Sequence, residues 1–189
     1  IWDLVAAVVG RHSRRGSLRR CRRFLVFDTE TDDLPRWDEV TPGNVALWPH
    51  VTQLAWVVLD AEGKEVERRA FDMTADDVAE AVRSFCDTLA QCDCLVGHNI
   101  IFDIQMLEAE ALRLGVQIDW RSLPRVCTMA ESTHWCRIPH PVYTFKWPRL
   151  EELYAKLFDE LLPPEHSALT HALATARCFA ELRERRVIR

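Results

Sequence analysis

Apolar and polar positions follow three rhythms along this chain, and each predicts a different kind of element. RFLVFD, which ends at Asp28, is a compact apolar run of strand length, and VTQLAWVVLD is a second. AEGK is a turn signal, and KEVERRAFDM alternates like a third strand, so the last two runs read as a hairpin. Thr74 opens a helix signature with acids in the first turn. Val78, Val82, Phe85 and Leu89 keep helical spacing to about Cys92. CDCLVGH reads as a short buried strand. NIIFDIQMLEAEALRLG reads as a helix closed by Gly115. VQIDW and RVCTMA read as short extended pieces, and residues 31–49 and Ser132–Pro148 as loops rich in proline and aromatics. RLEELYAKLF is a helix broken before Pro163 and Pro164, and residues 167–186 form the last helix. Strands that come first as a meander and later through helices imply an α/β fold, a mixed sheet with helices on its faces.

Charge divides the chain in two. Residues 1–23 hold seven arginines and one acid, Asp3, a net charge of +6; with −5 overall, the rest of the chain carries −11. We expect a basic N-terminal arm over residues 1–22, with a short amphipathic helix at 1–10 and a flexible linker at 11–22, ahead of one domain over 23–189. A basic arm on an acidic body suits an anionic partner, nucleic acid before a membrane surface; a solvated linker is the plain alternative. IWDLVAAVVG is shorter than the roughly 20 residues that span a bilayer. Its charges follow the apolar run, which makes a poor secretory signal. Seven cysteines without zinc-site spacing suit reduced thiols, so the expectation is a cytoplasmic protein with no membrane segment.

The chemistry gathers at a few positions. Asp28 and Glu30 lie two apart at a strand end and therefore share one face. Two carboxylates there repel each other unless a cation sits between them, and hard divalent ions favour oxygen ligands completed by water or substrate phosphate. Asp103, one turn into a helix, is a candidate third acid, and His166 precedes the last helix. Singly, each has a plainer reading: an Asx-turn or cap for Asp28 and Glu30, a dipole-favoured first-turn acid for Asp103, a surface histidine for His166.

Taken in order, FDTETDDLP, NIIFD and His166-SALT-His171-ALATA resemble the three motifs of the DnaQ-like, DEDDh-type 3′–5′ exonucleases, whose first motif reads FDTETTGLP. The resemblance covers roughly residues 23–183 and includes WPHVTQLAW, LVGHNIIFDIQMLEAEALRLG and KWPRLEELYAKLF. It implies an RNase H-like, mixed five-stranded sheet flanked by helices. It also implies hydrolysis of a nucleic-acid 3′ end, single-stranded or frayed, with two divalent ions, Mg²⁺ or Mn²⁺. Asp28 would bridge both ions, Glu30 would hold the water-activating one, and Asp103 would serve the second. His166 would be the general base, suited by an imidazole that titrates near neutrality. Thr29, Thr31 and Leu34 would hold the terminal nucleotide. His98 and Asn99 would lie near the same groove, where helix capping and core hydrogen bonding are the plainer roles. The arm can dock on a protein through Ile1, Trp2, Leu4, Val5 and Val8, and the resemblance also allows a homodimer. Trp37, Trp48, Trp135 and Trp147 can stack on bases or anchor loops.

The chain departs from the pattern at His171, where the resemblance calls for a carboxylate ligand. An imidazole there removes a negative charge and offers nitrogen, which Mg²⁺ takes poorly and Mn²⁺, Co²⁺ or Zn²⁺ take better. Three readings stay open: a weakened enzyme with His171 as a metal ligand, a domain retained for nucleic-acid binding or assembly, and an engineered replacement of the carboxylate.

Overall fold

A computed structural model describes residues 18–41, 44–120 and 123–189; the helix expected over residues 1–10 lies outside these. Five strands form one mixed sheet: β1 (Phe24–Thr31), β2 (Val51–Leu59), β3 (Glu65–Asp72), β4 (Cys94–Gly97) and β5 (Arg125–Cys127). Five helices flank it: α1 (Val78–Leu89), α2 (Ile100–Arg113), α3 (Thr128–Cys136), α4 (Leu150–Phe158) and α5 (Ala168–Glu184). The strand order is β3-β2-β1-β4-β5. The hairpin partners run antiparallel, and β4 and β5 run parallel to β1. This is the RNase H-like mixed five-stranded sheet expected from the sequence.

The first half of β1, Phe24–Phe27, is an unbroken apolar run because both of its faces are covered there. Phe24 and Val26 point into one core with Phe179, Leu153 and Leu182 of α4 and α5. Leu25 and Phe27 point into the other with Phe85, Met106 and Leu107 of α1 and α2. The rings of Phe24 and Phe179 lie 5.1 Å apart, as do those of Phe27 and Phe85, so aromatic pairs fasten a helical layer to each face. Strand β3, at the edge, carries the charges of Glu65, Glu67, Arg68, Arg69 and Asp72, which discourage a further strand from pairing there.

The structure corrects four local expectations. Helix α1 starts at Val78, because Thr74 first closes a turn: its hydroxyl donates to Asp77 Oδ2 at 2.7 Å and its carbonyl accepts from Val78 N at 3.0 Å. The same helix ends at Leu89, before Cys92. VQIDW is not a strand; Trp120 is buried against Phe27 and Phe85 and anchors a connecting segment. The stretch assigned to RVCTMA and the following loop contains helix α3. Its inward face carries Thr128, Ser132 and Thr133, so it shows no apolar period. The hydroxyl of Thr133 satisfies itself on Met129 O at 2.8 Å, and that of Thr128 on Gly97 O at 3.2 Å. The folded unit also begins ahead of Arg23. Leu18 and Cys21 are buried apolar residues within the basic stretch, and the N–H groups of Arg22 and Arg23 donate to Asp93 Oδ2 at 2.8 and 3.0 Å.

The tryptophans expected in loops serve mainly as anchors, and Trp135 lies within α3. Trp48 is buried, donates from Nε1 to Thr41 O at 3.0 Å and meets Trp37 edge-on. Trp135 lies beneath Lys156 and Arg185, and Trp147 packs on the core.

The turn from β4 into α2 leaves no room for a side chain at its last strand residue. A Cβ on Gly97 would stand 2.9 Å from Ile100 Cβ and 3.1 Å from its Cα. Gly97→Ala should therefore lower the unfolding free energy by about 1–3 kcal/mol, as overpacking does, measured by urea denaturation.

Candidate metal and catalytic site

Asp28 and Glu30 end the face of β1 that begins with Phe24 and Val26, so the strand's own alternation carries two carboxylates to the edge of the core under α5. The pairing with β2 slips between Glu30 and Thr31, so the regular ladder ends just past the second acid. Asp28 is buried and Glu30 half-buried.

Helix α5 brings the histidines. Ser167 caps it, its hydroxyl accepting from Thr170 N at 3.2 Å, and Gln53 Oε1 on β2 accepts from Ala168 N at 3.1 Å. Gln53 is the register partner of Glu30, so this bond pins the start of α5 over the end of β1. His171, whose N–H donates to Ser167 O, then places Nδ1 2.9 Å from Glu30 Oε1 and 3.5 Å from Asp28 Oδ2. His166, one residue before the cap and exposed, holds its ring edge-on to that of His171 with centroids 5.2 Å apart. One donor atom each from Glu30, His166 and His171 lie within 4.8 Å of one another.

Asp103 reaches β1 from the opposite face of the sheet. It is buried in the first turn of α2, and its Oδ1 accepts from Thr29 N at 3.0 Å and Thr29 Oγ1 at 2.8 Å. Asp103 thus fixes the backbone between the two acids of β1. Among the described residues it is not part of the Glu30–His166–His171 group.

The electrostatics follow from this crowding. Burial raises the Asp28 carboxyl to about 6, with the hydrogen bond and charge of His171 pulling the other way. Burial, and then the charge of Asp28, holds Asp103 well above the carboxylate range. His171 is held above its ordinary value, first by its hydrogen bond to Asp28 and then, against burial, by the charges of Asp28, Glu30 and Glu151. Protons gather here because negative charge has been brought together in a poorly hydrated place. A bound cation would favour the ionised carboxylates instead.

The remaining expected residues divide. Thr29 is buried on Asp103. Thr31 donates its hydroxyl to Asp33 O at 2.8 Å, and Leu34, further along the same loop, is 72% exposed. His98 is held away from solvent, its Nε2 donating to Pro148 O at 3.0 Å and its Nδ1 3.0 Å from Thr128 Oγ1. Asn99 caps α2 in the left-handed region at φ 67 with no side-chain cap bond. The sequence reading missed Gln53, whose only signal is a polar residue near the start of an otherwise apolar strand, and Glu151, which acts on His171 by charge.

The donors suit a divalent cation. Two imidazole nitrogens and one carboxylate oxygen converge beside a second, buried carboxylate, a set that borderline ions such as Mn²⁺, Co²⁺ or Zn²⁺ accept more readily than Mg²⁺ does.

No family model and no curated protein matches the chain. Solved structures of Escherichia coli exonuclease I do share its fold. The form in complex with a dA16 oligonucleotide aligns at a TM-score of 0.61 and 18% identity, over 88% of this chain and 42% of that one. The zinc-bound form with single-stranded DNA aligns at 0.60 and 19% over the same shares. A product-bound structure of an exonuclease I aligns at 0.58 and 17%, over 88% and 45%. The chain therefore spans less than half the length of these neighbours.

Burial depresses His98 to about 4, below its ordinary value of 6.5. The unfolded chain takes up this proton first, so the contribution of neutral His98 is whole above pH 6.5 and fades as pH falls toward 4. Relative to His98→Gln, the wild-type chain should lose roughly 2–3 kcal/mol of stability across that window. Denaturation curves of both chains at several pH values measure the difference.

Proposed function

We propose that this domain is a metal-dependent 3′–5′ exonuclease acting on single-stranded or frayed nucleic-acid ends, slowed by the imidazole at position 171. The observation that carries this reading is the convergence of Asp28, Glu30, His166 and His171 on the end of β1, with Asp103 buried against the residue between the two acids. The shared fold with exonuclease I, whose structures hold oligonucleotides, supports it.

In this reading Asp28, Glu30, Asp103 and His171 hold the divalent ions, Mg²⁺ or Mn²⁺, which supply an activated water and neutralise charge on the phosphodiester. His166 takes the proton of the attacking water, a role its exposed position ahead of α5 allows. Thr29 keeps the strand end straight by its two bonds to Asp103. Thr31 and the exposed Leu34 border the site, Leu34 as an apolar surface for the terminal base. His98 acts indirectly, tying the end of β4 to α3 and to the segment before α4. The arm over residues 1–22 offers six arginines to phosphates or to a partner. Among the described residues no helix is long and apolar enough to cross a membrane.

One contact favours a second reading, in which the domain binds nucleic acid or assembles with a partner and no longer turns over. His171 Nδ1 stands 2.9 Å from Glu30 Oε1, in the place where a cation would balance the acids. The domain then folds around its own imidazole and needs no ion.

A labelled single strand separates the two. With Mn²⁺ the wild-type chain should shorten it from the 3′ end, and Asp28→Asn should cut at least about 10²-fold more slowly. His171→Asp should raise the rate with Mg²⁺ by a similar factor, about 10²-fold. Salt-sensitive binding with no shortening under either ion, and cutting only by His171→Asp, selects the second reading. No cutting by either chain refutes the nuclease assignment.

A further inference from the structure

The proposed function treats His166 as a base with its lone pair free. The geometry points to a competing use of the same atoms: Glu30, His166 and His171 form a three-ligand site for one borderline divalent cation of the Zn²⁺ or Co²⁺ class, and filling it removes His166 as a proton acceptor. The metal site stands on geometry alone; only the loss of the base rests on the exonuclease reading.

Three observations carry it. The three donor atoms already lie within 4.8 Å of one another. Ligands of a tetrahedral ion at about 2.0–2.2 Å sit a little over 3 Å apart, so closure asks for about an ångström of movement. The exposed His166 can supply that by turning its side chain, since nothing covers it. Second, two nitrogens and one oxygen, with solvent on the open side, reproduce the pattern of three protein ligands plus water that Zn²⁺ adopts. Mg²⁺ finds a single oxygen in this set. Third, the buried Asp28 carboxylate lies 3.5 Å from His171 Nδ1, which adds negative charge beside the three donors and favours a bound cation. A carboxylate at position 171 would abolish this selectivity by restoring an oxygen-rich set, so the site belongs to this sequence in particular. A lone pair bound to the ion cannot take a proton from water, which makes the borderline cation an inhibitor of the same centre.

The test uses the full chain with no nucleic acid present, so a chain that never cuts still answers. Chelator-competition calorimetry with Zn²⁺, and the visible absorption of Co²⁺, should report one ion per chain, undisturbed by a large excess of Mg²⁺. His166→Ala and His171→Ala should each weaken the affinity by about 10²-fold or more, and His171→Asp should shift preference toward Mg²⁺. His166 is exposed, so its variant keeps the fold, which circular dichroism verifies. Affinity unchanged from the wild-type chain in either alanine variant, or displacement of Zn²⁺ by equimolar Mg²⁺, overturns the site. If the chain cuts with Mn²⁺, one equivalent of Zn²⁺ should slow it by at least about tenfold, the lower bound for losing a general base. Undiminished cutting with the site filled overturns the competition while leaving the exonuclease reading intact.

Discussion

Two carboxylates on one face of a strand, at the edge of a dry core, need positive charge, and the rest of this site is arranged to meet that need. Strand alternation brings Asp28 and Glu30 together, and the aromatic pairs on either face fasten β1 between two helical layers. Asp103 adds a third acid from the other side of the sheet, tied to the intervening backbone. The only histidine in ion-pair contact with Asp28 and Glu30 among the described residues is His171, and its proton is shared with the acids rather than with water.

The position of His171 follows from ordinary helix chemistry. Ser167 caps α5, Gln53 receives the first free N–H, and one turn later the imidazole lies over Glu30. A carboxylate at that position would raise the local negative charge and demand a metal. The imidazole lowers that demand and changes which metal would satisfy it. In the proposed reading, catalysis, binding and cation choice hang on one side chain held by one serine and one glutamine.

Much of this was legible in the residues, and the exceptions have physical causes. Strands β1 and β2 were readable because the stretches covered on both faces, Phe24–Phe27 and Leu54–Leu59, are wholly apolar, and α2 and α5 because their flanks carry a stop or a cap in Gly115 and Ser167. Helix α3 was unreadable because threonine and serine face inward and satisfy their hydroxyls on the backbone, so no apolar period survives. Trp120 looked like part of a strand because a buried anchor and a strand residue have the same chemistry. At the site, Asp28, Glu30, Asp103, His166 and His171 were named from motif order. Their division between the two faces of the sheet, and the role of Gln53, needed the register of β1 against β2.

The central claim is that the end of β1 is where this protein meets a divalent cation. Anomalous diffraction from crystals soaked in Mn²⁺ would test it most directly. The account predicts a peak at coordinating distance from the Glu30 carboxylate and the His171 imidazole. Mn²⁺ bound elsewhere, with His171 still closed on Glu30 in fully loaded crystals, would contradict it.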